Sequence, residues 1–387
     1  MQGEPVNEAL ETARREIDRI DADLVALIKK RLQVVAQIAE AKQVSGKPVL
    51  DATRERQLLT RVSGLAGAEF ETMMRGVFSM LMDVSRSYQH KLSAELSPLV
   101  GRIQQAIERT PKLFPGRAVV SCQGTEGAYS QIACDKLFVL PEIMYSHSFE
   151  GVFQAVASGL CPYGVLPIEN SLAGSVTQIY DLLRRYDVKI VRSARLQISH
   201  ALLACPGTEL GQVREIVSHE QALAQCAPYL ATLKGVKLTA CDNTATAARR
   251  VAESGRQDVA AIASKECADH YGLSVLASGV QGNDGNFTRF ICLSSSLEIY
   301  PGANRSSMLM ELPNKPGALY RVLVRFYALG INLVKLESRP IPGSTFSFMF
   351  YAEVDAPVYS PAFMQLIAEL DQELDAFSYL GSYQEII

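Results

Sequence analysis

Seven polar residues set on a helical pattern could grip a small anion: Arg14, Arg31, Lys42, Arg54, Glu55, Ser85 and Gln89. Arg31 is the most telling, because it stands where a leucine is due. The apolar positions run Leu10, Ala13, Ile17, Ile20, Leu24, Leu27, then Arg31, then Val34, Ile38 and Ala41. Steps of three and four alternate, which is the heptad seam of a long helix. A charge on that seam is costly unless something anionic meets it. Lys42 returns to nearly the same face as Arg31, about 16 Å further along the axis, so the two could close on one ligand. Arg14 lies about 25 Å before Arg31 and cannot reach that ligand from the same chain. If all three bind one anion, Arg14 comes from a second subunit, which predicts a helical dimer with two shared sites. The set holds cations, one carboxylate and one amide, with no histidine and no nucleophile–base pair. It suits a small dianion bearing a hydroxyl, and a chemistry that stabilises charge rather than moving protons.

Two further constellations follow. Pro167-Ile168-Glu169-Asn170-Ser171 comes after an apolar run, which puts a carboxylate and an amide at a strand end facing a cleft. Asn286-Phe287-Thr288-Arg289-Phe290 opens another such run. In the tail, Asn314-Lys315-Pro316-Gly317-Ala318-Leu319 opens a helix whose free N–H groups could meet a carboxylate. Glu337-Ser338-Arg339-Pro340 closes a strand.

The elements that must hold these residues are legible from periodicity. Three helices are expected over residues 6–95. The first ends at Gly46 and Pro48, the second is capped by Asp51, and the third runs from about Glu69 to Glu95. One helix of about 40 residues has no compact core by itself, and dimerisation would supply one. A linker with a short helix follows, rich in proline around Pro98, Pro111 and Pro115. From Ala118, short β-branched runs alternate with helical stretches, an α/β pattern long enough for two lobes with a cleft. Past Tyr300-Pro301-Gly302 the tail reads βαββαβ, a ferredoxin-like unit whose third strand spans Thr345–Asp355. The domains expected are thus 1–96, a linker over 97–116, then 117–297 and 305–387. No internal repeat and no low-complexity segment is visible.

Bulk properties exclude several classes. The chain has 387 residues, 48% of them hydrophobic, and a net charge of −3. Residues 1–95 carry 14 Lys+Arg against 14 Asp+Glu, so the seam cations are placed features and nothing points to nucleic acid. The acidic start lacks the apolar stretch of a signal peptide. The uncharged run over 151–168 is interrupted by glycine and proline, and reads as buried helix and strand rather than a membrane span. The eight cysteines form no Cys-x-x-Cys pair and no zinc spacing. They are read as reduced thiols in a cytoplasmic protein with no metal.

The spacing Arg14…Arg31…Lys42…Asp51-x-x-Arg54-Glu55…Ser85-x-x-x-Gln89 resembles the all-helical chorismate mutases of the dimeric type. The Ile-Glu-Asn-Ser and Thr-Arg-Phe runs resemble the prephenate dehydratases, and Ser218-His219, Gln225 and Asn243-Thr244-Ala245 match further motifs of that family. The two tail motifs resemble the ACT regulatory domain of phenylalanine-sensitive dehydratases. In this order, the three resemble the bifunctional chorismate mutase–prephenate dehydratases. One departure is the glycine loop Gly124-Thr125-Glu126-Gly127-Ala128-Tyr129-Ser130, with Thr125 in place of proline and Ala128 in place of a hydroxyl residue.

The resemblance implies an enzyme that makes prephenate from chorismate and then phenylpyruvate, with no cofactor. It implies an all-α mutase, a two-lobed periplasmic-binding-protein-like α/β dehydratase and an ACT tail. In the mutase, Arg31 and Arg14 of the partner subunit would hold carboxylates, Lys42 and Gln89 would donate to the ether oxygen, and Glu55 would take the ring hydroxyl. Asp51, Arg54 and Ser85 would complete the substrate contacts. In the dehydratase, Thr288 would stand near the leaving hydroxyl, with Glu169 as proton source or orienter. Asn170, Ser218 and Gln225 would position the substrate. Phenylalanine would bind the tail at Gly317, Ala318, Leu319, Glu337, Ser338, Arg339 and Pro340, between paired chains of a homodimer or higher oligomer. A mutase fused to a dehydrogenase would need a Gly-x-Gly-x-x-Gly after a strand, which is missing. A non-catalytic amino-acid sensor would have lost the polar site residues that this chain retains.

Overall fold

The computed structural model describes residues 4–47, 49–93, 97–283, 285–341 and 347–387. The chain divides into two compact units. One comprises Met1–Arg102, Asn314–Ile331 and Pro361–Asp375, and the other Ile103–Pro313, Asn332–Ser360 and Ala376–Ile387.

The first unit begins with α1 (Glu4–Ser45), whose seam meets no helix breaker until Gly46, where φ is +65°. Next comes α2 (Ala52–Ser93), and Asp51 caps it by accepting from Arg54 N at 2.9 Å. Gly67 breaks α2 with φ +70° and ψ 168°, so the second and third expected helices meet there. The expected end at Glu95 and the break at Pro48 lie outside the described residues. A short α3 (Pro98–Arg109) leads into the second unit.

The second unit opens with a lobe built from β1 (Arg117–Gln123), α4 (Tyr129–Leu137), β2 (Leu140–Ser146), α5 (Phe149–Ala157), β3 (Tyr163–Asn170), β4 (Gly174–Ser175), α6 (Thr177–Arg185) and β5 (Lys189–Gln197). The chain crosses at 198–200 into a second lobe of β6 (Ala201–Ala204), β7 (Glu215–Ser218), α7 (Glu220–Gln225), α8 (Ala227–Leu230), β8 (Lys237–Ala240), α9 (Thr244–Ser254), β9 (Val259–Ala263), α10 (Glu266–Tyr271) and β10 (Ser274–Ser278). It returns through 279–286 to β11 (Phe287–Ser294) in the first lobe. The two sheets share one plan. In the first lobe β5-β11-β3-β1-β2 pair antiparallel, antiparallel, parallel, parallel, and in the second β10-β6-β9-β7-β8 do the same. Parallel strands flanked by helices on both lobes confirm the α/β reading, with a cleft where the two crossover segments pass.

The tail adds β12 (Arg305–Leu312), α11 (Ala318–Ala328), β13 (Asn332–Pro340), β14 (Phe348–Asp355), α12 (Pro361–Glu373), β15 (Phe377–Tyr383) and β16 (Glu385–Ile386). Its strands form an antiparallel sheet in the order β13-β14-β12-β15, and its elements follow one another as βαββαβ before β16. The expected strand start at Thr345 lies outside the described residues. The boundary expected at 298–304 separates the elements but not the core. Leu309, Met349, Tyr351, Leu380 and Tyr383 are buried in one cluster with Val152, Leu166, Ile190 and Ile291 of the first lobe. At Gly381, with φ +137°, an added Cβ would lie 2.3 Å from Ile190 O, so only glycine lets β15 approach β5 this closely. β16 then joins the first lobe's sheet beside β5, in parallel. The tail helices α11 and α12 belong to the first unit.

Candidate active sites

In the first unit Arg31 is half-buried at the α1–α2 contact. Its Nη1 donates to Leu81 O at 3.1 Å and to Ser85 Oγ. Burial pulls its pKa below the ordinary guanidinium value, though a guanidinium remains charged at any physiological pH. Ser85 and Gln89 are buried one turn apart, and Gln89 Nε2 lies 3.4 Å from Ser85 O. Arg31, Ser85 and Gln89 therefore lie together. Lys42 donates to Val49 O across the α1–α2 turn. Asp51 is spent on capping, and Arg54 is exposed.

Arg14 is not part of this cluster. Its side chain is 61% exposed and pairs with Glu11 at 2.6 Å on its own helix. Leu10, Ile17, Ile20, Leu24, Leu27 and Val34 are also exposed, so the α1 seam has no cover within one chain. One buried neighbour escaped the sequence reading. Arg86 is buried and ion-paired with Glu55, with Asp83 and, at 3.3 Å, with Glu373 of α12. The i,i+3 spacing of Asp83 and Arg86, on either side of Ser85, was the available signal.

The second unit holds a cavity of about 690 Å³ between its lobes. Asn170, Gln225 and Thr288 line it, with Gly124, Tyr129, Ser130, Ser175, His200, His219, Asn243 and Thr244. No lysine or arginine is among the described lining residues. Several helices instead begin at its wall, among them α4 at Tyr129-Ser130, α6 at Thr177-Gln178 and α9 at Asn243-Thr244. Unsatisfied N–H groups and helix dipoles make such ends favourable for carboxylates. The first turn of α4 carries no side-chain cap, because Ala128 has no hydroxyl to offer. Gln131 N and Ile132 N turn back to Ala128 O, at 2.9 and 3.2 Å.

Asn170 and Thr288 sit on paired positions of β3 and β11. Asn170 Oδ1 accepts from Leu172 N at 3.0 Å and Ala173 N at 2.9 Å, so its amide points the other way. Nδ2 then donates to Thr288 Oγ1 at 2.9 Å. Thr288 Oγ1 accepts there, so its own O–H remains to be donated, and Thr288 lines the cavity.

Two expected site residues are placed elsewhere. Ser218 is buried outside the cavity lining, and its hydroxyl donates to Ile262 O at 2.6 Å; it fastens β7 to β9. Glu169 also faces away from the cavity, as alternation beside Asn170 on a strand requires. It accepts from Arg289 Nε at 2.5 Å and pairs with Lys335 of β13. Burial by itself would raise its pKa, but Arg289 and Lys335 outweigh burial and hold the carboxyl below its usual value. The two cations thus favour the ionised form of Glu169. Arg289, 3% exposed, reaches on to Glu353 at 2.6 Å, and Tyr351 donates to the same Glu353 oxygen.

The tail residues divide between the units. Gly317, at φ +79°, starts α11 with Ala318 and Leu319 in the first. On β13 in the second, Glu337 accepts from Ser175 Oγ at 2.8 Å and Arg339 pairs with Asp181 of α6 at 2.8 Å. Ser338 and Pro340 are exposed on the opposite face of that strand.

Residues 120–297 match the family Prephenate dehydratase, and residues 13–90 match Chorismate mutase type II. The Arogenate dehydratase/prephenate dehydratase 2, chloroplastic, of Arabidopsis thaliana is 36% identical over 77% of this chain and 81% of its own. The Bifunctional chorismate mutase/prephenate dehydratase of Escherichia coli K12 is 29% identical over 96% of this chain and 95% of its own. The chain belongs to the bifunctional chorismate mutase–prephenate dehydratase family. It is an enzyme with both activities, in phenylalanine biosynthesis. Among solved structures, the prephenate dehydratase of Arthrobacter aurescens in complex with L-Phe superposes with a TM-score of 0.63 at 28% identity, covering 68% of this chain and 89% of that one. A protein described as a quorum-quenching acylase superposes equally well, at 32% identity over 69% of this chain and 98% of its own. One fold thus carries differently named activities, and residue roles must be argued from the site. No helix among the described residues is long and apolar enough to cross a membrane.

Proposed function

We propose that the two reactions run at separate sites, one in each unit, and that Thr288 is the main catalytic group of the second. The observation that carries this is the Asn170–Thr288 hydrogen bond, which leaves the O–H of Thr288, a residue lining a cavity ringed by helix N-termini, to be donated. Prephenate is a dianion, and carboxylates are met there by backbone N–H groups and amides instead of side-chain cations. The bond to the departing carboxylate breaks to give carbon dioxide, and its electron pair enters the ring. Hydroxide leaves from the opposite carbon, helped by the Thr288 O–H, and takes up a proton as water. Aromatisation drives the step, so one well-placed donor suffices.

In the mutase, Arg31 with Ser85 and Gln89 forms one half of a site, and Arg14 of the partner subunit supplies the other. The exposed α1 seam supports pairing of two chains there, as a homodimer or within a higher oligomer. The rearrangement needs the substrate folded and its ether oxygen stabilised, with no acid or base. Lys42 and Gln89 serve the ether oxygen, and Glu55 the ring hydroxyl.

The tail acts as an ACT domain that binds phenylalanine and inhibits the cavity from outside it. The contact of Glu337 with Ser175, a cavity-lining residue, supports this, as does the L-Phe complex of the Arthrobacter relative. Phenylalanine must favour one of two states of that contact for inhibition to follow. The whole reaction sequence takes place in the cytoplasm. The test is a chorismate assay without added cofactor, with and without millimolar phenylalanine, following prephenate and phenylpyruvate separately. Both products are expected, with phenylpyruvate suppressed by phenylalanine. Prephenate accumulating without phenylpyruvate would overturn the cavity assignment.

A further inference from the structure

The direction of the Asn170 amide fixes more than Thr288. Because two backbone N–H groups occupy Asn170 Oδ1, the atom of Asn286 that meets Asn170 Nδ2 at 2.8 Å has to be the acceptor, Oδ1. Asn286 Nδ2 therefore faces Gln225, at 3.1 Å, and the atom it meets has to be Oε1. His200 Nε2 approaches that same Oε1 at 3.0 Å and so has to carry a proton. With Oε1 held from both sides, the Gln225 amide turns its NH₂ group away from His200 and Asn286, and Gln225 lines the cavity. His200 is 2% exposed and sits in one crossover segment, while Asn286 lies in the other. Its backbone is fixed as well, since His200 N donates to Gln281 Oε1 at 2.8 Å and His200 O accepts from Val280 N at 3.0 Å.

We infer that His200 is a positioning residue of the dehydratase: as an Nε2–H donor on the crossover segment, it locks the Gln225 carboxamide with its NH₂ toward the substrate. The other ring nitrogen lies 3.4 Å from Tyr129 Oη, whose own proton goes to Ser199 O at 2.6 Å. Burial lowers the pKa of His200 against the opposing effect of the Gln225 bond, which keeps the ring neutral and the single Nε2 proton in place. Without that donor the Gln225 amide is free to rotate, and an oxygen can face the carboxylates of the substrate. The inference rests on reading the cavity as the prephenate site.

The experiment compares His200→Leu and His200→Gln in the full-length enzyme, with prephenate as substrate and mutase activity from chorismate as the internal control. His200→Leu is expected to lower dehydratase kcat/KM by roughly ten- to a hundredfold, mostly through KM, with mutase activity and Tm unchanged. His200→Gln, which restores an amide N–H donor, is expected to recover most of the loss. Near-normal kcat/KM in the leucine variant, or an equal loss in the glutamine variant at unchanged Tm, overturns the inference. Where a variant fails to fold, the nitrogen chemical shifts of the His200 ring in the unaltered enzyme decide: a neutral Nδ1–H tautomer overturns it and Nε2–H upholds it. Thr288→Ala in parallel separates the two readings, because a silent Thr288→Ala sinks the cavity assignment itself rather than the role of His200.

Discussion

The helical site and the lobed site differ in what one chain can finish alone. In the dehydratase half, every group argued to touch substrate is held by hydrogen bonds inside the chain, down to the direction of single amides. In the mutase half, Arg31, Ser85 and Gln89 are gathered, but Arg14 is exposed on a solvent-facing helix among uncovered leucines and isoleucines. A cleft between two lobes encloses its ligand by connectivity. A long helix has one seam and must borrow its other wall. The lesson is that the two activities should respond differently to anything that separates subunits.

The sharpest way to break this contrast is Arg31→Ala. It should lower mutase kcat/KM by about a thousandfold and leave the dehydratase untouched, measured on chorismate and prephenate separately. Thr288→Ala should do the reverse, with a loss of about a hundredfold in dehydratase kcat. Equal losses of both activities in either folded variant would show that the sites are not separate. A mixing experiment probes the borrowed wall directly. Arg14→Ala and Arg31→Ala are each expected to be inactive as mutases, yet subunit exchange between them should restore about a quarter of the activity. Half the dimers are then mixed, and each mixed dimer has one intact site of two. Recovery should be nil if Arg14 serves its own chain. The smallest effect expected is on stability. Glu169 has a depressed pKa in the folded chain, so its stabilising contribution is full above the ordinary carboxylate value and is lost as pH falls through the folded value. Lys335→Met removes one of its two cations and raises that folded pKa. The variant should melt about 2–4 °C lower at neutral pH, and its acid transition should move to higher pH. An unchanged acid limb would mean that Lys335 does not hold Glu169.

The sequence carried the elements well and the facing of side chains less well. The three-and-four seam located α1, and Gly67 now marks the junction that periodicity put near Glu69. The βαββαβ order of the tail was visible from strand runs and from Pro316 and Pro361. Asn170, Gln225 and Thr288 do line one cavity. Glu169 is absent from that lining, because two consecutive strand residues face opposite sides of the sheet, a rule available without coordinates. Ser218 looked like a ligand group, but a buried hydroxyl has to find a partner, and Ile262 O is the one it finds. His200, Arg86 and Lys335 carried no motif. Each gains its role from a residue far along the chain, Gln225, Glu55 and Glu169 respectively, and periodicity says nothing about such pairs.

The pairing of β16 with β5 has a bearing on biosynthesis. Residues 385 and 386 complete the sheet of a lobe whose first strand begins at residue 117. A growing chain therefore holds that lobe's edge open, with Ile190 and its neighbours awaiting Leu380 and Tyr383, until those last strands have been made. Contacts so distant in sequence form late and slowly. The second lobe, whose strands all fall between residues 201 and 278, can close first and would act as the nucleus on the ribosome.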